Sequence, residues 1–200
     1  FNITGITING NMNLYSKINM TDSTVTYTTG NSGHEYTIRN YGTSEFTGNT
    51  IKHVSTYQGG NNDAEAIYNG GTLTSKNNIL EATNTSVYKY IVGIQNNGIL
   101  SSTDDTITTN GGQNAAAIYA NTSNYTKVSG LTAKVYNSST TYGIVNIAGK
   151  FDIDTSTFDL KGTTVKGMRI EKDNVTNIDT DYTVTNAQNA YGAELISGTL

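Results

Sequence analysis

Clustered carboxylates are the first candidates for chemistry, at Asp104 and Asp105, Asp152 and Asp154, and Asp179 and Asp181. Hydrolysis of a glycosidic bond needs two carboxyl groups roughly 5 to 9 Å apart across a cleft. A calcium site needs roughly six to eight oxygens converging on one point, which an adjacent Asp pair does not establish. Asp22, Asp104 and Asp179 each stand three residues before a recurring apolar position, a place filled elsewhere by Gly48, Lys76, Val128 and Thr155. Asp is a common turn former, so solvated turns are expected and no residue is assigned to catalysis. His34 and His53 share no ligand spacing with a second His or a carboxylate, and both are expected in exposed loops. The absence of cysteine removes thiolate nucleophiles, thiolate metal sites and disulfides. Neither a metal nor a cofactor is expected, and an enzyme is not.

Tyrosine points to a different chemistry. The chain has 14 Tyr and no Trp, and aromatic rings flanked by Asn, Ser and Thr suit recognition of sugar faces and hydroxyls. The candidate ligand-contacting residues are Tyr57, Tyr68, Tyr88, Tyr90, Tyr119, Tyr136 and Tyr142. Arg39 and Arg169, the two arginines, hold matching places five repeats apart. That is about 24 Å at one strand spacing per repeat, too far for a shared site.

The elements that must position these residues follow from a repeat. A first landmark, an apolar residue after a polar pair, recurs at Val25, Ile51, Ile79, Ile107, Leu131, Phe158 and Tyr182. A second, the residue after a small one, recurs at Ile38, Ile67, Ile94, Ile118, Ile144, Met168 and Ala193. A period of roughly 24 to roughly 29 residues is the signature of a solenoid. From a second landmark to the next first the spacing is nearly constant, as from Ile38 to Ile51 or Ile94 to Ile107. From first to second it varies widely, long from Ile51 to Ile67 and short from Phe158 to Met168. Loops absorb insertions and packed strands do not, so one edge is expected to carry the loops. Tyr57, Tyr88, Tyr90, Tyr136, Tyr142 and Tyr191 fall in that variable stretch. Tyr68 and Tyr119 follow the second landmark directly, so they should face outward, two coils and about 10 Å apart.

Short alternations such as Phe151-Asp152-Ile153 imply short half-buried strands, and no stretch sustains helical spacing. Asn40, Asn69, Asn96 and Asn146 are expected to stack as an internal amide ladder, interrupted at Asn121, Glu171 and Leu195. Gly42, Gly71 and Gly98 are expected at left-handed corners. The fold expected is all-β: a right-handed parallel β-helix of about seven coils, three short strands per coil, spanning residues 1–200 as a single solenoid cut from a longer chain.

Composition narrows the partners. Only 14% of residues are charged, Pro is absent and the net charge is −4. The missing Pro leaves every backbone N–H free to join a sheet. Scattered negative charge argues against nucleic acid and against an anionic membrane surface. No run is apolar and long enough to insert in a bilayer, so any leader or anchor is expected elsewhere in the parent chain.

Two units, Ala66-Ile67-Tyr68-Asn69-Gly70-Gly71-Thr72-Leu73 and Gly93-Ile94-Gln95-Asn96-Asn97-Gly98-Ile99-Leu100, resemble those of right-handed parallel β-helices of the pectin-lyase-like type. Their Thr/Asn-rich, Pro-free and Cys-free character resembles bacterial surface adhesins, including autotransporter passengers and the binding regions of serine-rich-repeat adhesins. The resemblance implies a cell-surface or secreted bacterial segment that binds a host glycan or glycoprotein through its loop edge without catalysis. The alternatives are a structural spacer rod and a β-helix polysaccharide lyase or hydrolase. Open solenoid ends would also favour end-to-end self-association.

Overall fold

A computed structural model of the chain describes residues 1–31, 33–57, 62–85 and 90–200. The described residues contain no helix, and every strand pair is parallel. The chain winds as a β-solenoid of about seven turns. One sheet of eight strands runs from Asn2–Thr4 through Thr43–Thr47, Thr72–Lys76 and Ile99–Thr103 to Val175–Ile178. A second sheet holds the two remaining arms of each coil, for example Thr50–Ser55 with Asn62–Asn69, and Ile79–Asn84 with Tyr90–Asn96. Three strands make a coil until the strands Thr132–Ala148 and Thr157–Ile170, where two arms fuse into one. Length alone does not cause this, since Ile107 to Ile118 is as short as Ala133 to Ile144 and still divides into Thr106–Gly111 and Asn114–Asn121, with Gly111 and Gly112 at positive φ between them.

The core is a set of stacked columns. Met12, Ile38, Ile67, Ile94, Ile118, Ile144, Met168 and Ala193 align in register, as the second landmark requires. The first landmark needs two corrections: the column is Val25, Ile51, Leu80, Ile107, Ala133, Phe158 and Tyr182. In the doublet Ile79-Leu80 the second residue is buried and Ile79 is 48% exposed. The corner before it lies at Asn77, and alternation from that corner sends residue 80 inward. The constant arm survives both corrections, and Ile38 to Ile51, Ile67 to Leu80 and Ile94 to Ile107 are steps of identical length.

The corner column consists of Gly5, Asp22, Gly48, Asn77, Asp104, Gly130, Thr155 and Asp179, all with φ between 43° and 68°. Gly, Asn and Asp tolerate that left-handed backbone best, so Asp104 is a turn residue as expected, while Asn77 and Gly130 replace Lys76 and Val128. Asp105 is not solvated. It is 1% exposed and ends a buried ladder in which Ser23 N donates to Asn49 Oδ1, Asn49 N to Asn78 Oδ1, and Asn78 N to Asp105 Oδ1.

The second amide ladder forms where expected. Asn40 Nδ2 donates to Asn69 Oδ1 at 2.8 Å, and Asn69 Nδ2 to Asn96 Oδ1 at 2.7 Å. The column then passes through Ala120, Asn146, Ile170 and Leu195, so Ala120 and Ile170, rather than Asn121 and Glu171, interrupt it. Gly42, Gly71 and Gly98 are glycine for a reason other than handedness, because none has a positive φ. A Cβ on Gly71 would lie 2.7 Å from the Tyr41 carbonyl carbon, and one on Gly98 2.9 Å from that of Gly70. These glycines let one coil's backbone settle onto the coil beneath it.

Candidate functional site

Residues on either side of the Ile38–Ile67–Ile94–Ile118 column alternate outward and build a surface of three columns. The first holds Arg39, Tyr68, Gln95, Tyr119, Val145 and Arg169. The second holds Tyr36, Glu65, Val92, Ala116 and Tyr142, and the third begins with His34 and Asp63. The outer face is not flat. Val92, Ala116, Tyr142 and Val145 are at most 4% exposed although they point away from the core, so this face is a valley. Between the second column and the first, the register skips a small residue, Ala66, Gly93 or Ala117, where the strand bends. A Cβ on Gly93 would meet the Ala117 carbonyl oxygen at 2.7 Å, which explains why the position stays small.

Two adjoining cavities open along the valley. One of about 250 Å³ is lined by His34, Tyr36, Arg39, Tyr68, Gln95 and Asn97. The other, about 210 Å³, is lined by His34, Asp63, Tyr90, Val92, Gln95, Tyr119 and Asn121. His34 and Gln95 belong to both, so the cavities form one groove with a polar divider. Each half has an aromatic pair: Tyr36 and Tyr68 with ring centres 5.5 Å apart, and Tyr90 and Tyr119 at 5.8 Å. Asn97 Nδ2 donates to the Tyr68 hydroxyl at 3.2 Å and fixes that ring. Tyr142 lies beneath, packed with Ala116 and Val145 against Tyr119. Burial raises the hydroxyl pKa of Tyr36, Tyr90 and Tyr119, which keeps them neutral donors.

The electrostatics of the floor are unusual. Glu65 is fully buried between Tyr36 and Val92 in its column, and neither of its carboxyl oxygens has a hydrogen-bond partner. Burial pushes its carboxyl well above the usual carboxylate range, Asp63 adds to the rise, and Arg39 pulls against it. Asp63 itself is occupied: its Oδ2 lies 3.0 Å from His34 Nδ1, and its Oδ1 accepts the Tyr90 backbone N–H. The Arg39 guanidinium sits over three tyrosines, 4.4 Å from the centre of Tyr36, 5.1 Å from Tyr41 and 5.3 Å from Tyr68. Tyr41 in turn stacks on exposed Tyr15 at 5.5 Å.

The structure sorts the tyrosines differently from a single loop edge. Tyr68, Tyr90 and Tyr119 meet in the groove, and Tyr68 and Tyr119 face outward two coils apart as expected. Tyr136 lies on the other arm with Lys134 and Lys161. Tyr142 is buried, Tyr57 follows the strand Thr50–Ser55 and lines neither cavity, and Tyr191 is exposed on the last coil. Tyr88 lies outside the described residues. The physical reason is strand continuity: much of the variable stretch is strand rather than loop, so alternation and not loop position decides where each ring points.

His34 is exposed as expected, but it lies on the strand Gly33–Asn40 rather than in a loop. His34 has a carboxylate partner in Asp63, one coil further along the chain and in register with it. His53 is fully buried, against Tyr27 and beside Thr37 Oγ1, and burial lowers its pKa to about 4. The members that spacing did not single out are His34, Tyr36, Asp63, Glu65 and Gln95. Counting back by the same step from Ile38 and from Ile67 would have placed His34 and Asp63 in one column.

Among the described residues no three His, Asp or Glu side chains come together as a metal site. Asp104 at its corner and Asp105 in its ladder face no cleft together. Comparison with protein-family models, with curated proteins and with solved structures returns no match to this chain.

Proposed function

We propose that this chain is a non-catalytic, carbohydrate-binding segment of a bacterial surface or secreted adhesin, and that the sugar lies in the outer valley rather than along a loop edge. The observation that supports this is the two-chambered groove, with a tyrosine pair in each half and His34 and Gln95 between them. Tyr68 and Tyr119 stand two strand spacings apart, about 10 Å, which matches the repeat of a disaccharide unit. Sugar binding asks for apolar ring faces and a few placed polar groups, and the groove supplies both. Catalysis finds less support, since Glu65, the carboxyl with the most perturbed acidity, is sealed from any substrate.

A glycan array probed with the wild type and with Tyr68→Ala and Tyr119→Ala variants tests the reading. The expected result is binding to a restricted set of oligosaccharides, weakened at least tenfold by either substitution. No binding to any glycan or host-cell extract would sink it, and would favour a spacer rod.

A further inference from the structure

Arg39 and Arg169 occupy the same outward column, yet they are treated differently by their surroundings. Arg169 is neutralised, with Nη2 2.8 Å from Glu171 Oε1 and Nη1 3.6 Å from Glu194 Oε2. Arg39 has no ion pair among the described residues, and its buried Nε has no hydrogen-bond partner. Nearby carboxylates are engaged elsewhere: Asp63 by His34 and the Tyr90 N–H, and Glu35 by the Tyr27 hydroxyl. Glu65 lies in the floor beside it with both oxygens unspent. The cation–π contacts with three tyrosines hold the guanidinium in place, but a ring face accepts no N–H in the fork geometry that a carboxylate offers.

We infer that the Arg39 half of the groove is a subsite for a carboxylate-bearing sugar, the guanidinium pairing with the carboxylate while the sugar face rests on Tyr68. This deepens the carbohydrate-binding reading and rests on it. Among the described residues, no Lys or Arg lines the neighbouring Tyr90–Tyr119 half, which takes the adjoining sugar through ring contact and hydroxyl hydrogen bonds. The chain's net charge of −4 gives no general attraction for a polyanion, so preference for an acidic sugar needs a local cation, which Arg39 supplies.

The test uses matched ligands: a hexuronate oligomer, the same oligomer with its carboxylates reduced to hydroxymethyl groups, and a sulfated neutral oligomer. Each is titrated calorimetrically into the wild type and into Arg39→Gln, Arg39→Lys, Arg169→Gln and Tyr68→Ala, with circular dichroism confirming the fold of each variant. The wild type should bind the uronate at least tenfold tighter than its reduced form. Arg39→Gln should abolish that preference, Arg39→Lys should retain part of it, and Arg169→Gln should leave it unchanged. Tyr68→Ala should weaken both forms alike. Equal, Tyr68-dependent binding of acidic and neutral forms would overturn the carboxylate subsite and leave the sugar-binding groove standing. Binding of the sulfated oligomer as tightly as the uronate would also overturn it, as would an acid preference that survives Arg39→Gln. No binding of any oligomer would overturn both.

Discussion

Replacing Glu65 by Gln exchanges a buried carboxyl for a neutral side chain of the same shape beneath the groove. In the folded chain Glu65 keeps its proton well above the pH at which a free Glu, with its value of 4.5, releases it. The folded state therefore binds more protons than the unfolded one above pH 4.5, and the wild type loses stability as pH rises toward the folded value. One proton per molecule sets the slope at no more than about 1.4 kcal/mol per pH unit. Glu65→Gln has no proton to lose. The two proteins should be nearly equal at pH 4, and the variant should become the more stable one with each step toward pH 7. His53 and Asp105 also titrate, but they are common to both proteins and cancel in the difference. Urea unfolding of both proteins at half-unit steps from pH 4 to pH 8 measures the gap directly. A gap that is flat with pH, or a variant less stable at pH 7, would refute the assignment of Glu65 as a buried, unpaired acid.

Three further outcomes are expected. His53 is neutral when folded, with a pKa of about 4 against 6.5 unfolded. Its contribution is therefore full above pH 6.5 and lost as pH falls toward 4, about 3 kcal/mol in all, and His53→Gln should flatten that limb of a thermal-melt profile. Gly71→Ala places a methyl against the backbone of the coil below, at a cost of about 1–3 kcal/mol, whereas Gly192→Ala, with open space around it, should cost a small fraction of that in the same denaturation assay. Asn69→Ala removes bonds to Asn40, Asn96 and the Ile99 carbonyl, about 3 kcal/mol at roughly 1 kcal/mol each. Asn146→Ala removes only bonds to the Gly149 and Lys172 carbonyls, so native-state hydrogen exchange should show the smaller loss of protection around residue 146.

The coil order, the Ile38-to-Ala193 column and the outward pointing of Tyr68 and Tyr119 were legible because a period of about 25 residues fixes register without reference to any partner. Where apolar residues come in doublets, as at Ile79-Leu80, spacing alone does not say which one turns inward, and the corner at Asn77 decides. The glycines at 42, 71 and 98 read as left-handed turns because a sequence shows that a Cβ is missing and not whether φ or a neighbouring backbone forbids it. The groove was partly hidden for a related reason. His34, Asp63 and Glu65 look like unconnected polar residues, and only the step from Ile38 to Ile67 sets them side by side. Burial of outward residues such as Glu65 and Tyr142 depends on the bend at the small position, which turns an exterior face into a valley.

Nuclear magnetic resonance of the chain carrying ¹³C-labelled tyrosine, titrated with the strongest array ligand, bears most directly on where the sugar sits. Binding in the valley should shift the ring signals of Tyr36, Tyr68, Tyr90 and Tyr119 while leaving Tyr136 and Tyr191 unmoved. Shifts confined to Tyr136, Tyr191 or Tyr57, with the four valley rings unchanged, would contradict it.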